Sequence, residues 1–284
     1  MRQSSACNLD ERQMNENYSD WEFMLNGNQH ELRHFSESRG TAFLSIYGGI
    51  DHWHDCPSDD FRMVTMFAQD EADLNTVWQL GYELLSLYNG ASELLKMKAP
   101  KLSIHRLLHK EVQMDYMPEN KVVGLLGNPG FPRARIAVEE GNARKLSPKF
   151  SLLHLATSNQ DVLFTLKYLD MEPSWDTYYK LMETLEGFAK TRSIDLGTDA
   201  GERSSFTNTA NNFSLAGFGA RHGFKQAVKA NKTPSMQLDQ AHAFVTSMAK
   251  SYLKQAHGLR LANTTHFRRP AEQLCSASSW PDVP

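Results

Sequence analysis

The chain has 284 residues, a formal net charge of −3, 40% hydrophobic and 22% charged residues, ordinary values that allow a buried core. No window approaches 18 uninterrupted apolar residues, which argues against a transmembrane helix. The polar start MRQSSACNLDERQMNENYSD lacks the apolar run of a secretory leader. Cys7, Cys56 and Cys275 are too few and too scattered for a disulfide framework, so a reducing, cytoplasmic setting is expected.

Charge is unevenly spread. Residues 201–284 carry ten Lys and Arg against four Asp and Glu, and the rest of the chain carries 20 against 29. A basic end on an acidic body fits an anionic partner, or equally a solvated face with a basic tail.

In chain order, residues 1–18 are polar and aperiodic and read as a disordered tail. WEFML, the Asn26-Gly27 turn and NQHELRHF read as two strands of a hairpin. Thr41–Tyr47 reads as a third strand stopped by Gly48-Gly49, and Ile50–Cys56 as a fourth, ending before Pro57. From about Asp70 to Met97, Leu74, Val77, Trp78, Leu85 and Tyr88 follow helical spacing. Gly81 falls where an apolar residue is due, which predicts close approach to a sheet. Asn89-Gly90 is expected to divide this helix. Strand-like alternation returns at Leu102 and Ile104, and at Val112, Met114 and Tyr116. Short apolar runs follow at Val122–Leu126 and Ala134–Val138.

Beyond residue 150 the period is helical. Ser158 can cap a helix carrying Val162, Leu163, Leu166 and Leu169. Ser174 caps another, with Trp175, Tyr178, Tyr179, Met182 and Leu185 on its apolar face. A short helix is expected around Arg203–Asn211. The last starts at Pro234-Ser235, carries Leu238, Ala241, Val245, Met248 and Tyr252, and ends at Gly258. The fold class is thus α+β. A strand-rich domain with one long helix occupies residues 19–149, a helical bundle residues 150–257, and a flexible basic tail residues 258–284.

Three stretches offer chemistry. In an extended strand His52, His54 and Cys56 would share one face, a weak zinc candidate without a second ligand pair. Otherwise the segment is a plain strand. In SWDTYYKLMETLEG the aromatic residues read chiefly as packing, with Glu183 the carboxylate expected to face an interhelical cleft. In FTNTANNFSLAGFGARHGF, Arg221 offers a phosphate-binding fork and His222 a group that titrates near neutrality. The alternative is that both tie the loop to helix ends. Lys225, Lys229 and Lys232 would share a face if helical. No GxxxxGK[ST], GxSxG or HExxH motif is present, and no metal or other cofactor is expected.

The order of Trp175, Tyr178, Tyr179, Lys180 and Glu183, then Thr209, Ala210 and Asn211, then Ala220, Arg221, His222 and Gly223 resembles HEPN-type helical domains (higher eukaryotes and prokaryotes nucleotide-binding) over residues 158–256. The resemblance implies a bundle of about four or five helices, often dimeric. It also implies metal-independent ribonuclease activity in members whose Arg and His are separated by several residues. Here the two are adjacent. The function so implied is RNA or nucleotide binding, with atypical endoribonuclease activity in defence or stress response. Arg221, His222 and Glu183 would act on the phosphodiester, and Asn208, Asn211, Arg203, Lys225, Lys229 and Lys232 would hold the nucleic acid. The alternative is a non-catalytic interaction module that pairs with itself or with another protein. No membrane association is expected.

Overall fold

The computed structural model describes residues 20–36, 44–51, 54, 56–69, 71–95, 101–119, 148–224 and 234–259. The expectations for the terminal tails, for the runs at Val122–Leu126 and Ala134–Val138, and for His52, Lys225, Lys229 and Lys232 lie outside them.

The fold is α+β. Strands β1 (Trp21–Asn26), β2 (Ser45–Asp51), β3 (Cys56–Val64), β4 (Ser103–His109) and β5 (Val112–Gln113) form one antiparallel sheet in the order β2-β3-β1-β4-β5. Helices α1 (Gln29–Ser36) and α2 (Leu74–Leu94) accompany it. A helical region follows: α3 (Pro148–Ala156), α4 (Gln160–Asp170), α5 (Trp175–Arg192), α6 (Ala200–Asn211), the single turn α7 (Phe213–Ala216) and α8 (Leu238–His257).

Alternation builds the sheet's inner face. Trp21, Phe23 and Leu25 of β1 are buried, while Glu22 and Met24 between them point to the other face. On that outer face Arg62 holds Glu22 at 2.7 Å and Asp60 at 2.8 Å, and the Tyr47 hydroxyl donates to Glu22.

Four sequence expectations about the sheet fail. NQHELRHF is helix α1, not a strand: the Asn28 Oδ1 accepts from the Glu31 amide at 3.1 Å, an N-terminal cap that starts a helix directly after β1. Gly48-Gly49 does not stop β2 but lies inside it. Both residues have positive φ (99° and 83°), they sit at a register shift, and a Cβ on Gly48 would meet the Asp60 carbonyl oxygen at 2.0 Å. The pair is therefore a bulge only glycine accommodates. Ile50–Cys56 is not one strand, because β2 ends at Asp51 and β3 begins at Cys56. Met114 and Tyr116 lie beyond β5, in irregular chain.

α2 is the axis of the molecule. It begins at Leu74, where Asp73 accepts from the Thr76 amide, and its buried positions surround the helix rather than line one stripe. One side packs on the sheet, and a Cβ on Gly81 would meet Phe23 Cε1 at 2.4 Å. The other side packs on α4, where Gly90 lies against the Leu166 carbonyl. Asn89 does not divide the helix. Its amide donates to the Leu102 carbonyl and accepts from the Leu102 N–H, both at 3.0 Å, like a short piece of strand. The buried Glu83 is paired with Lys167 of α4 at 3.1 Å. One apolar core consequently runs from Trp21 on β1 to Leu253 on α8.

Most helical expectations hold, but Ser158 does not cap α4: Asn159 occupies the N-cap without a side-chain capping bond, and the Ser158 hydroxyl accepts from the Asn159 side-chain amide instead. Ser174 caps α5 through the Thr177 amide at 3.1 Å. Gly258 ends α8 in the left-handed region. α8 itself starts at Leu238, later than Pro234, because Gln237 and Gln240 form a reciprocal capping box. Among the described residues no helix is long and apolar enough to cross a membrane.

Candidate functional site

α5 runs alongside α4, and between them lies a groove of about 750 Å³. Phe164 and Tyr168 of α4 and Lys180, Glu183 and Phe188 of α5 line it. Glu183 thus faces an interhelical cleft, as its position in the sequence suggested. Trp175 and Tyr178 are buried in the core and cannot stack an external ligand.

Tyr179 is different. One face of its ring stacks on Phe206 (centroids 6.2 Å apart). The guanidinium carbon of Arg221 lies 4.1 Å from its ring centre. Arg221 also reaches Glu183, Nη2 to Oε1 at 3.4 Å, and the side chains of this pair are 34% and 47% exposed. Its main-chain N–H donates to the Ala210 carbonyl at 2.8 Å, which ties the glycine-rich loop to the end of α6. Two of the three groups expected to act on a phosphodiester, Arg221 and Glu183, therefore meet at the rim of the groove. The third, His222, follows Arg221 in the chain and is exposed.

The flanking residues divide. Arg203 is held by Glu186 through two hydrogen bonds of 2.6 and 3.0 Å, and this pairing raises the guanidinium above its usual range. It is engaged where Arg221 is loosely held. Asn208 donates to the Pro234 carbonyl at 3.3 Å and accepts from Asn212 at 2.9 Å, so it joins α6 to the approach to α8. The buried Oδ1 of Asn211 has no hydrogen-bond partner among the described residues. Lys180 lines the groove, and Asp176 one turn before holds it at 2.7 Å, which raises its pKa.

The metal candidate does not assemble as one strand face. His54 lies in the turn between β2 and β3, its ring 2.6 Å from Asp51, and Cys56 is exposed at the start of β3. His105 and His109 sit on β4, which β1 and β3 separate from that turn's own strand β2. Among the described residues no three His, Cys, Asp or Glu side chains are grouped to hold a metal.

Other clusters had no local signature. His242 of α8 bridges Tyr178 of α5 (2.9 Å) and Glu93 of α2 (3.1 Å). Burial, reinforced by Glu93, pushes the Tyr178 phenol up to about 12. The buried Asp161 carboxylate collects Tyr252 (2.6 Å), His257 and Arg192 (2.9 Å each). Lys149, buried at the start of α3, donates to the Tyr88 hydroxyl at 3.0 Å, and burial pulls its amine down to about 7. One signal for the groove itself was available: Phe164 falls off the Val162-Leu163-Leu166-Leu169 stripe, an apolar residue on a face that should be polar.

Comparison with protein-family models, with curated proteins and with solved structures gives no match.

Proposed function

We propose that the helical region binds RNA or a nucleotide, with Arg221 taking a phosphate at the rim of the α4–α5 groove. The observation that carries this reading is the setting of Arg221 over Tyr179. An arginine stacked on an aromatic ring is oriented before any ligand arrives, so less side-chain freedom is lost on binding. Its ion pair with Glu183 is long and partly exposed, and such a pair contributes about 0–1 kcal/mol. A phosphate offers two charged acceptors that match the guanidinium fork. It can therefore displace Glu183 at little cost.

The groove adds aromatic surface from Phe164, Tyr168 and Phe188 and a second cation from Lys180, the combination that single nucleotides and exposed bases use. The HEPN-like succession of motifs points the same way, toward nucleic acid and away from a cofactor. In this reading His222 is the group that would transfer a proton at the phosphate held by Arg221, a step that needs no metal.

The test is fluorescence anisotropy of a labelled single-stranded oligoribonucleotide against the full chain and its Arg221→Ala variant, across 50–200 mM salt. Loss of one phosphate contact should weaken binding and flatten the log–log salt slope by about 0.7. Equal affinity and slope in the two proteins would overturn the assignment of Arg221. Absence of binding by the unaltered chain at low salt would overturn the function.

A further inference from the structure

The loop that carries Arg221 also carries two phenylalanine rings in water. Phe218 is 99% exposed and Phe224 72%. Both stand edge-on to Phe213, with centroids at 5.3 and 5.5 Å and interplanar angles of 82° and 86°. Phe213 opens α7 and is only half exposed, so it anchors a trio whose other two members face outward. Gly217, at φ +58°, turns the chain just before Phe218.

Apolar rings left in water forgo the stabilisation that burial would give them. A solvent-facing aromatic pair beside a cation has a use in recognition. Arg221 lies three residues after Phe218 and three before Phe224, with His222 exposed next to it. This part of the chain also carries the positive excess: ten Lys and Arg against four Asp and Glu over residues 201–284. The occupant must therefore be anionic and must present flat apolar faces. Single-stranded nucleic acid does both. A duplex hides its base faces in the stack, and a mononucleotide has one base for two rings.

We infer that Phe218 and Phe224, which flank Arg221 in the chain and share Phe213 as their base, form a base-stacking platform, so that the ligand is a single strand of several nucleotides. This rests on the phosphate-binding reading of Arg221 and extends it to a substrate class. Stacking on an aromatic side chain is sequence-tolerant, and removing one such ring weakens binding about 5- to 150-fold. A phenylalanine platform adds no charge, so its loss leaves the salt slope intact.

The experiment compares the full chain with Phe218→Ala/Phe224→Ala and with Arg221→Ala. The probes are a labelled oligouridylate of roughly 12 nucleotides, uridine monophosphate as competitor, and a hairpin duplex of matching length. Because both rings are exposed, the double variant should keep the thermal midpoint of the unaltered chain. The expected result is at least about 25-fold weaker oligouridylate binding with an unchanged salt slope, weak competition by the mononucleotide and weak binding of the duplex. If the double variant binds like the unaltered chain while Arg221→Ala does not, the phosphate site stands and the platform is wrong. If the double variant loses binding and Arg221→Ala does not, the platform stands and the phosphate assignment falls. A double variant that changes only the sedimentation coefficient, with oligouridylate binding intact, would assign the rings to a protein contact and overturn the inference.

Discussion

Replacing Asp161 with alanine is expected to cost about 3–5 kcal/mol of stability, a large share of the roughly 5–15 kcal/mol of an ordinary domain. The magnitude follows from what the carboxylate holds. Its Oδ2 accepts from Tyr252 at 2.6 Å and from His257 and Arg192 at 2.9 Å, and its Oδ1 accepts from the Val162 amide at 3.0 Å. Tyr252 is buried and the His257 side chain is only 8% exposed, so each loses its partner with little gain of water, at about 1–3 kcal/mol apiece. Arg192 is 38% exposed and largely resolvates. These contacts join the start of α4, the end of α5 and the end of α8, so the loss falls on the packing that shapes the groove. Burial alone would raise this carboxyl. The hydrogen bonds from His257 and Tyr252, with the charges of His257 and Arg192, outweigh it and bring the group down to about 2 from an ordinary 3.8. The folded state therefore binds fewer protons than the unfolded state in that window. The stabilisation, about 2 kcal/mol, is present above pH 4 and lost as pH falls toward 2. Urea unfolding followed by circular dichroism, at pH 7 and along the acid limb, measures both parts. Asp161→Asn should lack the acid-limb slope. A cost under about 1 kcal/mol for the alanine variant, or an asparagine variant with the same slope as the unaltered chain, would refute the reasoning.

Three further outcomes are expected. Gly90→Ala sets a Cβ 2.0 Å from the Leu166 carbonyl oxygen; because a main-chain atom cannot swing aside, the thermal midpoint should drop by about 5–10 °C in a melt. Lys149 titrates near 7 when folded against an ordinary 10.5, so the unfolded state binds more protons and stability rises with pH between those values; the difference between the unaltered chain and Lys149→Met in urea titrations should carry that rise, and a parallel pair of curves would contradict it. His222→Ala should leave oligonucleotide affinity intact and remove any cleavage measured in excess chelator; cleavage that persists would take the proton-transfer role away from His222.

The sequence made some of this legible and hid the rest, for physical reasons. α2, α5 and α8 announce themselves because helical periodicity is local and repeats over many residues. Helix α1 is hidden in the sequence because eight residues are too few for period to outweigh a turn signal, and the deciding feature is the single Asn28 cap. Gly48-Gly49 is ambiguous in the sequence because a bulge and a strand end use the same residue. Gly81 is legible because a gap in an apolar stripe has one common cause, a close neighbour. At the site, Arg221 and Glu183 were identifiable by chemistry, but their meeting was not. Nor was the division between Tyr178, sunk in the core, and Tyr179, which carries Arg221: adjacent tyrosines on one helix are equivalent until the neighbouring helices are placed. Glu93, His242 and Tyr178 come from three separate helices, and no pattern along the chain marks such a cluster.

In the proposed function Arg221 is a phosphate ligand that Glu183 holds in reserve. Affinity for a single-stranded oligonucleotide should therefore move in opposite directions in two variants measured side by side at 50 mM salt. Arg221→Ala should weaken binding, and Glu183→Gln, which frees the guanidinium and removes a repelling charge, should strengthen it by up to about fivefold. Weaker binding in Glu183→Gln, or no change in either protein, would contradict it.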